Sequence, residues 1–260
     1  MSTDTDADTP KKTFRQEAVE TFQTVVYALM IAFVLRVVLF EPFTIPSASM
    51  EPGLLVGDYI IATKWNYGWS KHSIPFSPPL FKGRVLKLGA GPQRGDVVVF
   101  KLPRDPSQTY VKRLIGLPGD KVQVKRGVVF VNDKEIVRTA AGDAVDPDPR
   151  GGGMSVGQYQ EHAPDGHAYL TFDQGPGNPR DDTEPYIVPE DYYFMMGDNR
   201  DNSMDSRFTP EEDGVGYVPA ENLVGKVRLV LVSWKGGASL FNPISWVVKF
   251  DPSRIAKAVN

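Results

Sequence analysis

Residues 25–35 are apolar or aromatic without a break, and after Arg36 the run resumes over 37–40. This stretch forces the first decision about the fold. A helix that crosses a membrane needs about 20 mostly apolar residues, and the run reaches that length by recruiting Ala18, Val19 and Phe22. We therefore expect one transmembrane helix over residues 17–40, preceded by a polar, disordered tail over 1–16. Arg36, near one end, can carry its charge to the interface along its apolar stem. A helix buried in a soluble core can also be apolar on every side, but no other segment offers a matching long helix to pack against. A cleaved secretory leader needs small residues at its cut site, and Phe40-Glu41-Pro42-Phe43 does not supply them. Lys11, Lys12 and Arg15 precede the run, so the positive-inside bias places the N-terminus in the cytoplasm and the remaining chain outside it.

Beyond the helix the chain breaks into short apolar runs separated by turns, and its 24 Gly and 22 Pro supply the punctuation. That pattern favours β architecture. Strands are expected over 59–63, 97–101, 109–117, 192–196 and 223–232, with a hairpin over 121–131. Residues 65–91 are rich in Trp, Tyr, Pro and Gly and read as a long loop or hairpin extension, which packs on the body or docks on the bilayer. From 132 to 189 Pro, Gly, Asp and Gln dominate, with one strand signal at 167–172. The expected organisation is a mainly β, antiparallel catalytic core built from 41–131 and 190–260, interrupted by a loop-rich β lobe at 132–189. The apolar stretch at 241–250 is too short to span. The net charge of −3 argues against a nucleic-acid partner, which calls for a basic footprint. The absence of cysteine excludes disulfides and thiolate metal sites.

Three stretches can carry chemistry. The first is Ile45-Pro46-Ser47-Ala48-Ser49-Met50-Glu51-Pro52. Two prolines stiffen it, and in extended geometry Ser47 and Ser49 face the same way. A rigid pair of hydroxyls suits a nucleophile with a helper, although Ser, Pro and Gly also make ordinary turns. A serine nucleophile needs an adjacent base, usually histidine, yet His72, His162 and His167 all lie in loop-like surroundings. A neutral lysine is the alternative, since desolvation disfavours its ammonium. The second stretch offers one in Tyr110-Val111-Lys112-Arg113-Leu114, where strand alternation sets Lys112 beside Tyr110 and Leu114. A lysine snorkelling from an ordinary strand has the same pattern. The third stretch, Gly197-Asp198-Asn199-Arg200-Asp201-Asn202-Ser203-Met204-Asp205-Ser206-Arg207, lacks the glycine and terminal Glu of an EF-hand loop. It reads better as a hydrogen-bonded loop that sends one serine into the site. No metal or other cofactor is expected.

These blocks, together with Gly57-Asp58, Arg94-Gly95-Asp96-Val97-Val98-Val99-Phe100 and Gly116-Leu117-Pro118-Gly119-Asp120, resemble the bacterial type I signal peptidases, also called leader peptidases. The resemblance implies Ser49 as nucleophile and Lys112 as general base. It implies an oxyanion hole from the Ser47 side chain and the Ser49 N–H, and Ser203 orienting the lysine. Asp205 and Arg207 match a supporting ion pair, and Tyr110 matches a position near the substrate pocket. The partners implied are membrane lipid and secretory preproteins whose signal peptides carry small residues at the first and third positions before the cut. The implied location is the cytoplasmic (inner) membrane, single-pass, with the catalytic domain on the periplasmic side. Gly53 stands where the family often has Thr, and Met204 where a small residue is common. Two rivals stay open. A self-cleaving Ser/Lys repressor-type protease requires a DNA-binding helical module and a cleavable linker. A non-enzymatic anchored β module requires the matching blocks to be coincidence.

Overall fold

The computed structural model describes residues 13–86, 88–147, 152–163, 166–236, 242 and 244–259. Helix α1 spans Phe14–Val38, 25 residues with none buried, or about 37 Å at 1.5 Å per residue. It begins earlier than the expected 17–40 because the Gln16 side chain caps the Thr13 N–H at 2.9 Å. It ends earlier because the Leu39 carbonyl accepts from Lys64 N and Phe40 is already paired with Thr63 in a sheet. Residues 14–16 are therefore helical rather than part of a disordered tail, and the rest of that expected tail, 1–12, lies outside the described residues.

The strands follow in chain order as β1 (Phe40–Thr44), β2 (Asp58–Thr63), β3 (Val97–Leu102), β4 (Asp105–Gly116), β5 (Lys121–Lys125), β6 (Val128–Val131), β7 (Lys134–Glu135) and β8 (Arg138–Pro147). They continue as β9 (Gly153–His162), β10 (Ala168–Asp173), β11 (Tyr186–Ile187), β12 (Tyr192–Met196), β13 (Val218–Pro219), β14 (Leu223–Ser233) and β15 (Lys257–Ala258). One sheet runs β1-β2-β14-β3-β4-β12-β13, with β15 added to β14. A second runs β11-β5-β6-β7 and a third β10-β9-β8. The mainly antiparallel β architecture holds throughout. β-Branched residues drive it: Val97, Val98 and Val99 on β3 are all buried, so that strand feeds two clusters at once.

The long β4 ties the clusters together. Val111 packs on the cluster around Ile45, Met50, Leu54 and Val99. Tyr110 and Leu114 join Phe100, Met195 and Leu223, and Ile115 joins the β5–β6 hairpin.

Residues 132–189 depart from the loop-rich expectation. β8 and β9 are ten residues each and pair from Arg138↔Glu161 to Pro147↔Gly153. Most of β8 is exposed, so no face of it needs an apolar stripe, and the periodicity that reveals a half-buried strand is missing. Main-chain pairing holds the strands instead. The expected boundary at 132–189 also runs through the second sheet, which joins β7 and β11 to the β5–β6 hairpin.

The 65–91 segment is mostly irregular, with one bridge between Trp69 and Val85. Its Tyr67 is buried and donates to Asp96 at 2.7 Å, and Trp69 Nε1 donates to Val38 O at the end of α1. A one-turn helix, α2 (Ile244–Val248), occupies part of the stretch read as too short to span.

Candidate active site

The serine stretch leaves α1 through β1 and turns at once. Ser47 is extended, but Ala48–Met50 forms a single 3-10 turn before the chain straightens at Glu51. The stretch is therefore not extended throughout as expected, yet the two hydroxyls still meet, with Ser47 Oγ 3.4 Å from Ser49 Oγ. Ser49 N lies at the start of that turn, where backbone N–H groups find no acceptor within the helix. The turn is held from below by apolar burial and by main-chain bonds. Met50 and Leu54 are buried in the core, and Leu54 N donates to Met50 O and Gly57 N to Ile45 O, each at 2.9 Å. Asp58 accepts from Leu55 N at 2.8 Å and from Arg254 Nε at 2.8 Å.

Lys112 comes from β4, opposite Val98 on β3. It is 3 % exposed, and its Nζ donates to Ser49 Oγ at 2.5 Å. The same Nζ lies 5.9 Å from the Tyr110 ring centre. Burial pushes the amine down to about 8, against the pull of the Asp205 carboxylate, while Arg207 lowers it further. Burial disfavours the ammonium because a charge loses its hydration there. Asp205 is itself buried, which alone raises a carboxyl; the Arg207 ion pair and the Gly197 N–H outweigh that and leave it below the usual range. Arg207 reaches Asp205 with Nε to Oδ1 and Nη2 to Oδ2, both at 2.9 Å.

Ser203 is buried in the same corner, but its Oγ has no hydrogen-bond partner among the described residues. The bond to the lysine implied by the resemblance is thus not formed. Its nearness to the site is set by Gly197: a Cβ there would lie 2.3 Å from Ser203 Oγ and 2.5 Å from Ser49 O. Asn199 completes the closure, its N–H donating to Ser49 O at 3.2 Å and its Nδ2 to Ala48 O at 3.3 Å. Gly53 has a local reason as well, since a Cβ would sit 3.1 Å from Asp198 Oδ2.

Among the described residues β1 pairs only with β2, and β12 pairs with β4 only from Arg113 onward. Residues 43–45 and 109–112 therefore present free strand edges to each other. Between them lies a cleft of about 410 Å³ lined by Phe43, Ile45, Ser47, Ser49, Met50, Tyr110, Lys112, Asn202 and Met204. None of the three histidines lines it. His72 instead bonds Ser77 at 2.9 Å, and burial pushes it down to about 4.

Sequence reasoning missed the charges behind the dyad. Arg113 makes a bidentate pair with Asp198, both bonds 2.7 Å, and stacks on Tyr169 with the guanidinium 3.8 Å from the ring centre. The available signal was Arg113 itself, a second cation in a strand that alternation turns to the opposite side from Lys112.

Residues 18–234 match the family described as signal peptidase, peptidase S26. The chain belongs to that family. It is 40 % identical to a signal peptidase I of Rickettsia typhi, covering 95 % of this chain and 94 % of the relative. It is 38 % identical to that of Rickettsia prowazekii with the same coverage. A solved signal peptidase I from Enterococcus faecalis is 25 % identical and covers 52 % of this chain and 95 % of that one, with a TM-score of 0.30; that superposition is too partial to bear on the fold. Membership makes the chain a serine endopeptidase of the signal peptidase class. The first described element is a single apolar helix, where the repressor-type rival calls for a DNA-binding helical module.

Proposed function

We propose that this chain is a membrane-anchored endopeptidase that removes N-terminal signal peptides from exported preproteins, with Ser49 as nucleophile and Lys112 as base. The observation that carries the assignment is the buried Lys112 amine 2.5 Å from Ser49 Oγ, at the floor of a cleft between two free strand edges. Ser49 Oγ attacks the scissile carbonyl carbon while its proton passes to the neutral Nζ. The resulting oxyanion takes the Ser47 hydroxyl and the Ser49 N–H as donors, which stabilise charge that exists only after attack. As the C–N bond breaks, Lys112 returns the proton to the leaving amine. Water, deprotonated by the same amine, then releases the acyl group from Ser49.

The substrate lies extended between β1 and β4, adding a strand to both edges. Alternate side chains then point into the cleft, so small residues are read at every second position. Beyond the cleft the substrate continues towards α1, along a neighbouring cavity of about 560 Å³ that shares Phe43 and is lined by Arg36, His72, Lys101 and Ser107. A single anchor puts enzyme and substrate in one plane and raises their effective concentration.

The test is cleavage of a preprotein by the purified full chain in detergent, with the cut mapped by mass spectrometry. Cleavage is expected where the first and third residues before the cut are small. Ser47→Ala should lose about 10²–10³ in turnover, and Ser49→Ala all detectable cleavage. An active Ser49→Ala protein ends the nucleophile assignment.

A further inference from the structure

The β8–β10 lobe grips the turn that closes the site. Phe172 of β10 bridges to Asn199, its N–H donating to Asp198 O and its carbonyl accepting from Arg200 N, both at 2.9 Å. Gln174 N donates to Asp201 Oδ2 at 2.7 Å, and Asn202 Nδ2 to Asp146 of β8 at 3.2 Å. At the centre is an ion pair buried on both sides, with Glu161 of β9 at 1 % and Arg200 at 4 % exposure. Arg200 Nη2 donates to Glu161 Oε2 at 2.6 Å, and Nη1 lies 2.6 Å from Oε1 as an ion-pair contact without hydrogen-bond geometry. Fixed this way, Arg200 turns its Nε to Gly197 O at 3.2 Å, and its own carbonyl accepts from Arg207. Gly197 is the residue against which Ser203 Oγ and Ser49 O are packed.

We propose that Glu161 is a positioning residue for the catalytic pair: from the inserted lobe it holds Arg200, and through Arg200 the Gly197–Ser203 turn that sets Ser49 against Lys112. This rests on the Ser49/Lys112 reading. A charge-assisted hydrogen bond with a second close ion-pair contact beside it restrains the guanidinium's direction as well as its distance, which a main-chain bridge alone does not do for a side chain. A buried guanidinium that loses its carboxylate is left with an uncompensated charge. The other carboxylate acting on Arg200 is Asp198. Asp198 already serves Arg113, so it is not free to take the place of Glu161. The Phe172 bridge does not involve the Glu161 side chain, so the lobe stays docked in the variant.

The experiment uses the full-length protein in detergent and a short peptide substrate, with kcat and KM measured per mole of folded protein. Glu161→Gln, which keeps the shape and removes the charge, should lower kcat about tenfold or more with KM within about twofold of the parent, a loss of placement well inside the energy that a broken buried pair disturbs. Glu161→Asp, which keeps the charge, should recover part of the lost kcat. Gln160→Ala, on the exposed neighbouring position, is the control and should match the parent. A folded Glu161→Gln protein with parental kcat, or one whose loss lies in KM, overturns the proposal. If Glu161→Gln does not fold, Glu161→Asp decides, and full kcat there overturns it. Lys112→Arg is measured alongside: activity in that variant would refute the dyad itself, whatever Glu161→Gln shows.

Discussion

A lysine serves as a base only where its ammonium is disfavoured, and here the cause is burial. Lys112 sits near 8 instead of its ordinary 10.5. The neutral form is the active one, so turnover should rise about tenfold per pH unit below 8 and level off above it. Lys112→Arg keeps the charge and cannot give up its proton; it should fold, insert and be inactive. Replacing His72, His162 and His167 together should leave the profile in place. A pH–rate series on these variants checks this, and activity in Lys112→Arg or its loss in the triple-histidine variant overturns the dyad. The same shift has a stability signature. The unfolded chain keeps the proton up to about 10.5 and the folded chain releases it near 8, so stability should rise with pH across that window. Lys112→Met should make that slope shallower, leaving the share of the buried Lys64, whose amine burial also pushes down. Residue type and neighbours marked Ser49 and Lys112 as candidates, and the resemblance, not the spacing, gave them their roles. The orphaned Ser203 hydroxyl was not, because a hydrogen bond depends on a few tenths of an ångström that no spacing encodes.

At the scale of elements, well-buried strands announced themselves: β3, β12 and β14 carry the apolar runs expected of them. The failures share one cause. β8 is exposed over most of its length and β9 buries only two of its ten residues, and pairing with little burial leaves no periodic trace. Nor did the turn after β12 show which of its polar residues point inward. Its glycine gives the sharpest test. A Cβ on Gly197 would meet Ser203 Oγ and Ser49 O well inside contact distance, and one of those is backbone. Gly197→Ala should cost about 1–3 kcal/mol of stability, as overpacking does, measured by urea unfolding. It should also lower peptide turnover by more than that stability loss explains, because the displaced atoms flank the nucleophile. A Gly197→Ala enzyme with parental turnover would show that the turn has slack and does not set the site.

For the whole molecule the decisive relation is between anchor and cleft. Helix α1 buries no residue, has a mean hydropathy of 1.9 over its best window, and passes into β1 after only Leu39. Arg36 pairs with Glu41 at 2.9 Å, and Glu41 with the buried Lys64 at 3.0 Å, so the helix end is fastened to the sheet that carries the cleft. The apolar run foretold the anchor, but the Glu41 clamp needed the fold to bring Lys64 alongside. Sidedness follows from charge. Lys11, Lys12 and Arg15 stand before the helix, whereas Arg36 at the far end is neutralised by Glu41. Cytoplasmic flanks retain positive charge, so the N-terminus should lie inside and the β body outside. The chain has no cysteine, which makes single-cysteine reporters clean. Ser155→Cys, at an exposed position on β9, should react with a membrane-impermeant maleimide in intact spheroplasts. Ser2→Cys should react only after lysis. The reverse pattern would put the cleft in the cytoplasm, away from any exported substrate, and would overturn both the orientation and the secretory role.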